Sequence, residues 1–301
     1  MRAMSGAALA AILVLTGCAT SEPPEDNPLR VAGELGHPVI VDTARPAPSE
    51  PTDEVAIVGE GRRLVDGSYV LYTISSFDEM GKPLLKDNAQ LRSGVINADF
   101  PYRESVIDAT EGSRIILTRP QDNGVETIII DLLHTQAFGT SEGAPKDISV
   151  TTGDDGGPIL QSGVPVDSLS SYVLIRGEGV QIASGDAVYA QYQVYRAEDG
   201  EQIDSTWSEG PRLIDLSGVF PGLATAVTDA RIGSRLLVLV PAAEARGTAD
   251  LVIIVDLLAR DDTQQPTGDK PAPNEPVTTE PPSPTDPTDP GDPDEALDDA
   301  S

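Results

Sequence analysis

One cysteine, Cys18, and two histidines, His37 and His134, are all that 301 residues offer of these metal-binding side chains. A single cysteine excludes a disulfide within the chain and any zinc or iron–sulfur site built on thiolates. Two isolated histidines leave no metal-ligand cluster and no paired imidazoles for catalysis, so no cofactor is implied. Aromatic residues make up 4% of the chain, which keeps any site of stacked rings small. Positive charge is scarce as well: 20 Lys and Arg stand against 49 Asp and Glu, a formal charge of −29. Nucleic acid is excluded as a partner, because neutralising phosphates needs clustered Lys and Arg. What the chain has in quantity is Pro (26) and Gly (28), beside 39% hydrophobic residues. That is enough apolar material for a core, with much of the chain left outside it. At this length about two cores are expected.

Residues 1–18 read MRAMSGAALAAILVLTGC: a basic Arg2, an apolar stretch from Ala7 to Leu15, then small residues. This is the layout of a secretory signal, and it is shorter than the roughly 20 apolar residues of a spanning helix. Leu15-Thr16-Gly17-Cys18 is similar to the lipobox of bacterial lipoproteins. The resemblance implies removal of residues 1–17, acylation of Cys18, and anchoring on the extracytoplasmic face of the cell membrane. An ordinary signal peptide with an incidental cysteine is the alternative. A diacylglycerol anchor supplies two chains, where one alone holds a membrane only marginally. Residues 18–54 follow as a Pro-rich tether expected to be disordered, with one short strand at Val39-Ile40-Val41. Residues 261–301 hold ten prolines and twelve acidic residues against Lys270 alone, and read as a self-repelling, solvated tail.

Between these ends the chain repeats itself. Gly59-Glu60-Gly61 recurs as Gly177-Glu178-Gly179, Gly67 as Gly185, Phe100-Pro101 as Phe220-Pro221, and Gly112-Ser113-Arg114 as Gly233-Ser234-Arg235. Each copy then runs into an apolar strand ending in Pro, 115–120 and 236–241, and closes on a second, 127–133 and 251–258. Two units result, 55–138 and 166–260, joined by a Gly-rich linker over 139–165. Within the second unit, Ala187 to Tyr195 is a β-branched and aromatic run, and Glu198-Asp199-Gly200 is a hairpin turn by composition. The runs 236–240 and 251–255 are continuously apolar, which needs cover on both faces. One helix is expected, Leu223 to Arg231, with Leu223, Val227 and Ala230 at helical spacing, Pro221-Gly222 before it and Gly233 after it. A single short helix on an antiparallel sheet is an α+β layout.

The second unit resembles the FKBP-type peptidyl-prolyl isomerases over nearly its full length. The resemblance is carried by Gly185-Asp186, Tyr192, the hairpin from Asp199-Gly200 through Ile203-Asp204-Ser205-Thr206-Trp207, and Val219-Phe220-Pro221-Gly222-Leu223. It continues through Gly233-Ser234-Arg235, Pro241 to Gly247, and Leu251 to Leu258, in the family's order. Two such units on a lipoprotein resemble secreted actinobacterial members. The resemblance implies tandem domains, each a twisted antiparallel sheet wrapped around one short helix, and rotation about X-Pro bonds. That chemistry needs no nucleophile: the barrier of roughly 18–20 kcal/mol is C–N double-bond character, and binding the twisted amide more tightly than the planar one lowers it.

Carried over residue by residue, the resemblance places Tyr192, Asp204, Phe220 and Leu223 at the reacting bond and Ile203, Arg212, Val219, Arg246 and Ile253 around it. Several positions depart from the family: Ile203 stands for a Phe, Leu223 for a Trp, Arg212 for a ring, Arg246 for a substrate-binding Tyr and Ile253 at or near another Phe, and the loop from Gly247 to Asp250 is shorter. Plain structural roles stand beside each assignment: a half-buried strand Tyr192, a hairpin Asp204 bonded to backbone N–H groups, and a Phe220 packing onto the helix. Trp207 either leans toward the pocket or lies on the hairpin surface. The first unit has Ile74, Leu85 and Arg103 at the corresponding Tyr, Asp and floor positions, and is expected to be folded and catalytically silent. Three readings are open. One is a monomeric, membrane-anchored isomerase acting on proline-containing exported polypeptides; another is a non-catalytic lipoprotein recruiting unfolded segments or an envelope partner. The third is a wall-associated lipoprotein whose acidic tail is the working part.

Overall fold

The computed structural model describes residues 28–44, 46–122 and 124–262, and among them are sixteen strands and two helices. A hairpin comes first, β1 (Arg30–Ala32) and β2 (Val39–Asp42), then β3 (Thr52–Ile57), β4 (Tyr69–Phe77), β5 (Gln90–Val95), the one-turn α1 (Arg103–Val106), β6 (Arg114–Gln121) and β7 (Gly124–Leu133). The connection carries β8 (Thr140–Ser141), β9 (Val150–Thr152) and β10 (Pro158–Leu160). Then come β11 (Ser170–Arg176), β12 (Ala187–Arg196), β13 (Gln202–Ser205), β14 (Arg212–Asp215), α2 (Pro221–Val227), β15 (Arg235–Val240) and β16 (Leu251–Arg260).

Beside the two-stranded hairpins β1-β2 and β9-β10, the strands build two larger antiparallel sheets with one connectivity. The first runs β3-β6-β7-β4-β5; the second runs β8-β11-β15-β16-β12-β13, with β14 on the same edge of β12 as β13. The repeated motifs meet each other in the same way in both. The N–H of Gly59 donates to Ser113 Oγ at 2.9 Å, and that of Gly177 to Ser234 Oγ at 3.0 Å. A Cβ on Gly59 would lie 2.1 Å from Glu111 O, and one on Gly177 2.2 Å from Ile232 O, so no side chain fits at either point.

Each sheet is covered on both faces. One face packs on the helix side, through Tyr72, Phe100, Val106, Ile115, Leu117 and Ile130 in the first sheet. In the second sheet Val188, Leu223, Val227, Leu236, Val238 and Ile253 do the same. The other faces are closed by the segments expected as a disordered tether and as a connection; the structure orders both, and β2 falls on the short strand expected at Val39-Ile40-Val41. Within residues 28–54, expected as a disordered tether, Leu29, Val31 and Ile40 pack on Phe77, Ile116 and Ile129, and β3 begins inside the tether at Thr52. Within the linker 139–165, Ile148, Leu160 and Val164 pack on Leu237, Leu239, Val252 and Ile254. Each covered Leu, Ile or Phe contributes about 1.5–3 kcal/mol, and the continuous apolar runs of β15 and β16 thereby find cover on both faces.

A buried ion pair fastens the first of these covers and recurs in the second sheet. Arg114 makes a buried bidentate pair with Asp131 (Nε–Oδ1 2.6 Å, Nη2–Oδ2 2.8 Å). Its other N–H groups donate to the carbonyls of Ala32, Gly33 and Glu34, and Gly36 N–H donates to Asp131. Arg235 and Asp256 repeat the pair at 2.6 and 2.8 Å, with Ala137 N–H donating to Asp256. The helix is shorter than its apolar spacing implies. α2 stops at Val227, because Thr228 Oγ1 donates back to Ala224 O and Asp229 turns the chain at φ +69°. The expected lipidation site at Cys18 and the tail from 263 onward lie outside the described residues.

Candidate functional site

The residues singled out on the second unit converge on the α2 side of its sheet. Pro221 at the helix start has a preset φ and no N–H to satisfy, and Gly222 N–H donates to Glu244 O, tying the helix start to the 241–250 loop. This brings Val219 and Phe220 beside Tyr192 on one apolar cluster. Leu223 and Ile253 belong to the same cluster but are closed in, at 8% and 2% exposed. They form its floor.

Strand register places the polar groups. Asp204 stands opposite Val194 and Arg212 opposite Ala190. Both therefore share the face of Tyr192 and bracket its ring along β12, since alternate residues face one side. Burial pushes the Tyr192 hydroxyl above its ordinary value near 10; the Asp204 charge raises it further, and Arg212 pulls the other way. The phenol is consequently a proton donor across the physiological range. Asp204 also accepts from Ser205 N–H at 2.8 Å, the hairpin role open to it from sequence. Arg212 is ion-paired with Glu209.

Not every assigned residue is gathered in. Ile203 is half exposed at 50%. Arg246, at φ +54°, is exposed on the 241–250 loop. Trp207 turns away from Tyr192: its ring sits over the Arg235 guanidinium at 5.6 Å, and Arg235 faces the side opposite α2. One residue that the sequence does not mark is Thr206. It is fully buried, its Oγ1 accepts from Tyr192 N–H at 2.9 Å, and its own N–H donates to Tyr192 O at 3.0 Å. It holds Tyr192 in place just past the end of β13, and nothing in a Ser-Thr-Trp stretch signals that.

The equivalent place in the first sheet is different. Arg103, at the floor position, turns to solvent and pairs with Asp66 at 2.6 Å. Ile74 packs into the core cluster. Beside α1 lies an open hollow of about 790 Å³ that includes Phe100, Arg119 and Ile128 but also Asp53 and Ser105, hydrogen-bonded to each other. Its phenol is that of Tyr102, whose pKa is raised by burial and by Glu126 and lowered by Arg92, but Ile74 stands at the position of Tyr192. Among the described residues no group of three His, Cys, Asp or Glu side chains is placed to hold a metal ion.

No family model matches the chain, and no curated protein does. Solved structures similar to it are FKBP-type peptidyl-prolyl isomerases. FkpA from Escherichia coli is 21% identical over 37% of this chain and 51% of its own, with a TM-score of 0.29. The three FKBP domains of wheat FKBP73 are 14% identical over 70% of this chain and 94% of theirs, TM-score 0.29. A peptidyl-prolyl cis-trans isomerase from Pseudomonas syringae is 19% identical over 34% and 81%, TM-score 0.30. The chain thus spans about half the length of FkpA. These overlaps are loose, and a function for the chain has to rest on the geometry around Tyr192.

Proposed function

We propose that the second sheet and α2 form an FKBP-like unit that binds X-Pro segments of exported polypeptides and rotates the X-Pro bond. The first sheet, in this reading, is a silent companion unit. The observation that carries the proposal is the Tyr192 hydroxyl, bracketed by Asp204 and Arg212 above an apolar floor of Leu223 and Ile253. A proline ring would lie on that floor against Phe220 and Val219, and the phenol would donate to the amide as it twists. Preferential binding of the twisted, less dipolar amide is the whole of the chemistry, and neither acid–base nor covalent steps enter. Anchoring through Cys18 would hold a monomeric protein outside the membrane, where slow proline isomerisation limits folding of arriving chains.

The test is NMR exchange spectroscopy on a short Ala-Pro peptide with the full chain, beside Tyr192→Phe and Asp204→Ala. Expected are cis–trans exchange peaks within tens of milliseconds to a second, against tens of seconds uncatalysed, reduced about tenfold or more in both variants. Exchange no faster than that of peptide alone at high protein concentration overturns the catalytic reading. One observation favours a second reading, a binding unit without catalysis: a charged Arg212, paired with Glu209, stands beside Tyr192 where the family has a ring. In that case peptide resonances broaden on binding without exchange peaks.

A further inference from the structure

We propose that the cleft between the two sheets binds a basic, apolar segment of polypeptide, at a place separate from the Tyr192 site. Two hollows of about 260 and 440 Å³ share Leu35, Leu133, Gly179, Ile232 and Leu258, and so form one cleft. Its floor is apolar. Leu133 and Leu258 come from the last strands of the two sheets, and Phe138 beside them is 52% exposed. The Phe138 ring is held flat against His134 at 4.1 Å, which presents it as a rigid face rather than a mobile side chain.

The rim is acidic and its charge is uncommitted. Glu34, Asp87 and Glu178 line the cleft, are exposed, and have no ion-pair partner among the described residues. The cations nearby are neutralised within the chain: Arg260 pairs with Asp262 at 2.6 Å, and His37 reaches the same carboxylate at 3.2 Å. Thr73 lines the cleft and is only 7% exposed.

Apolar floor and unpaired carboxylates at the edge together specify the occupant. Apolar side chains settle on Leu133, Leu258 and Phe138, and Lys or Arg heads reach Glu34, Asp87 and Glu178. The dimensions suit a few residues of extended chain, within the usual range of about 300–1,000 Å³ for ligand pockets. An acidic segment is repelled by the same rim.

The test is a ¹⁵N NMR titration of the full chain with N-acetylated, amidated Phe-Arg-Leu-Lys. Two control peptides carry Glu for Arg and Lys, or Ser for Phe and Leu. Expected are saturable shifts centred on residues 34–37, 133–138 and 178–180, and a dissociation constant raised about tenfold between 50 and 500 mM salt. The combined variant Glu34→Gln, Asp87→Asn, Glu178→Gln, at exposed positions that leave the fold intact, weakens binding about tenfold, and Phe138→Ser weakens it independently. Neither control peptide binds measurably. Equal binding of the Ser-containing peptide, unchanged binding by the triple variant, or shifts that do not saturate at millimolar peptide overturn the proposal. The triple variant keeps the Ala-Pro exchange of the wild type and Tyr192→Phe keeps the cleft shifts, so failure at one site is not failure at the other.

Discussion

The chain's two histidines respond to pH in opposite directions, and both lie in the cleft between the sheets. The hydrogen bond to Asp262 raises the pKa of His37 above its ordinary 6.5. The stability it adds is complete below 6.5 and is lost as pH rises through the raised value. Its exposure limits that to a few tenths of a kcal/mol. His134 is held below 6.5 by burial, with Glu111 opposing weakly. Its contribution is present above 6.5 and is lost as pH falls through the depressed value. Melting midpoints recorded from pH 7.5 to 5.0 should therefore fall less steeply in His134→Gln than in wild type, and more steeply in His37→Gln. Parallel curves for wild type and His134→Gln would sink this account. Neither role was legible in sequence, because a histidine's titration depends on neighbours more than 20 residues away: Glu111 for one, Asp262 for the other.

At the scale of elements, a buried Arg–Asp pair recurs in both sheets, and in the first it fastens the covering segment. Arg114 is the clearer case, since it ties three consecutive carbonyls, 32–34, to Asp131. Replacing it alone leaves Asp131 buried without its counter-charge, and Arg114→Leu should cost about 3–5 kcal/mol in a denaturant titration. The double variant Arg114→Leu, Asp131→Leu should recover most of that loss, since no buried charge remains. Hydrogen exchange should then show β1 and β2 less protected while β7 is kept. A double variant as unstable as the single would mean that the carbonyl contacts, not the charge, dominate. The Gly-Ser-Arg repeat was visible in sequence, and so were the strands after it. Its purpose was not, because the carbonyls that Arg114 holds are about 80 residues upstream.

For the molecule as a whole, each sheet is a middle layer, with helix-side apolar packing on one face and a hairpin segment on the other. A chain lacking residues up to Asp42 should expose Phe77, Ile116 and Ile129. It should bind the dye ANS strongly and melt well below the full chain, by more than 10 °C given about 1.5–3 kcal/mol for each uncovered side chain. A melting point and dye signal equal to the full chain would show that the first segment is an accessory.

The sequence by itself determined the two repeated units and the main apolar strands within them. Those come from local apolar runs and from turns at Gly and Pro. It grouped Tyr192, Asp204, Phe220 and Leu223 only through the family resemblance, with the Phe-Pro-Gly helix start as the one short-range signal among them. The tertiary structure alone decided which segments cover the outer faces, that Trp207 lies over Arg235, that Arg212 and Asp204 bracket Tyr192, and that a cleft opens between the sheets. These depend on contacts between residues far apart in the chain. A short, Pro-interrupted run such as 28–42 carries too little periodicity of its own; it is ordered by the apolar face and the arginine waiting for it on the sheet.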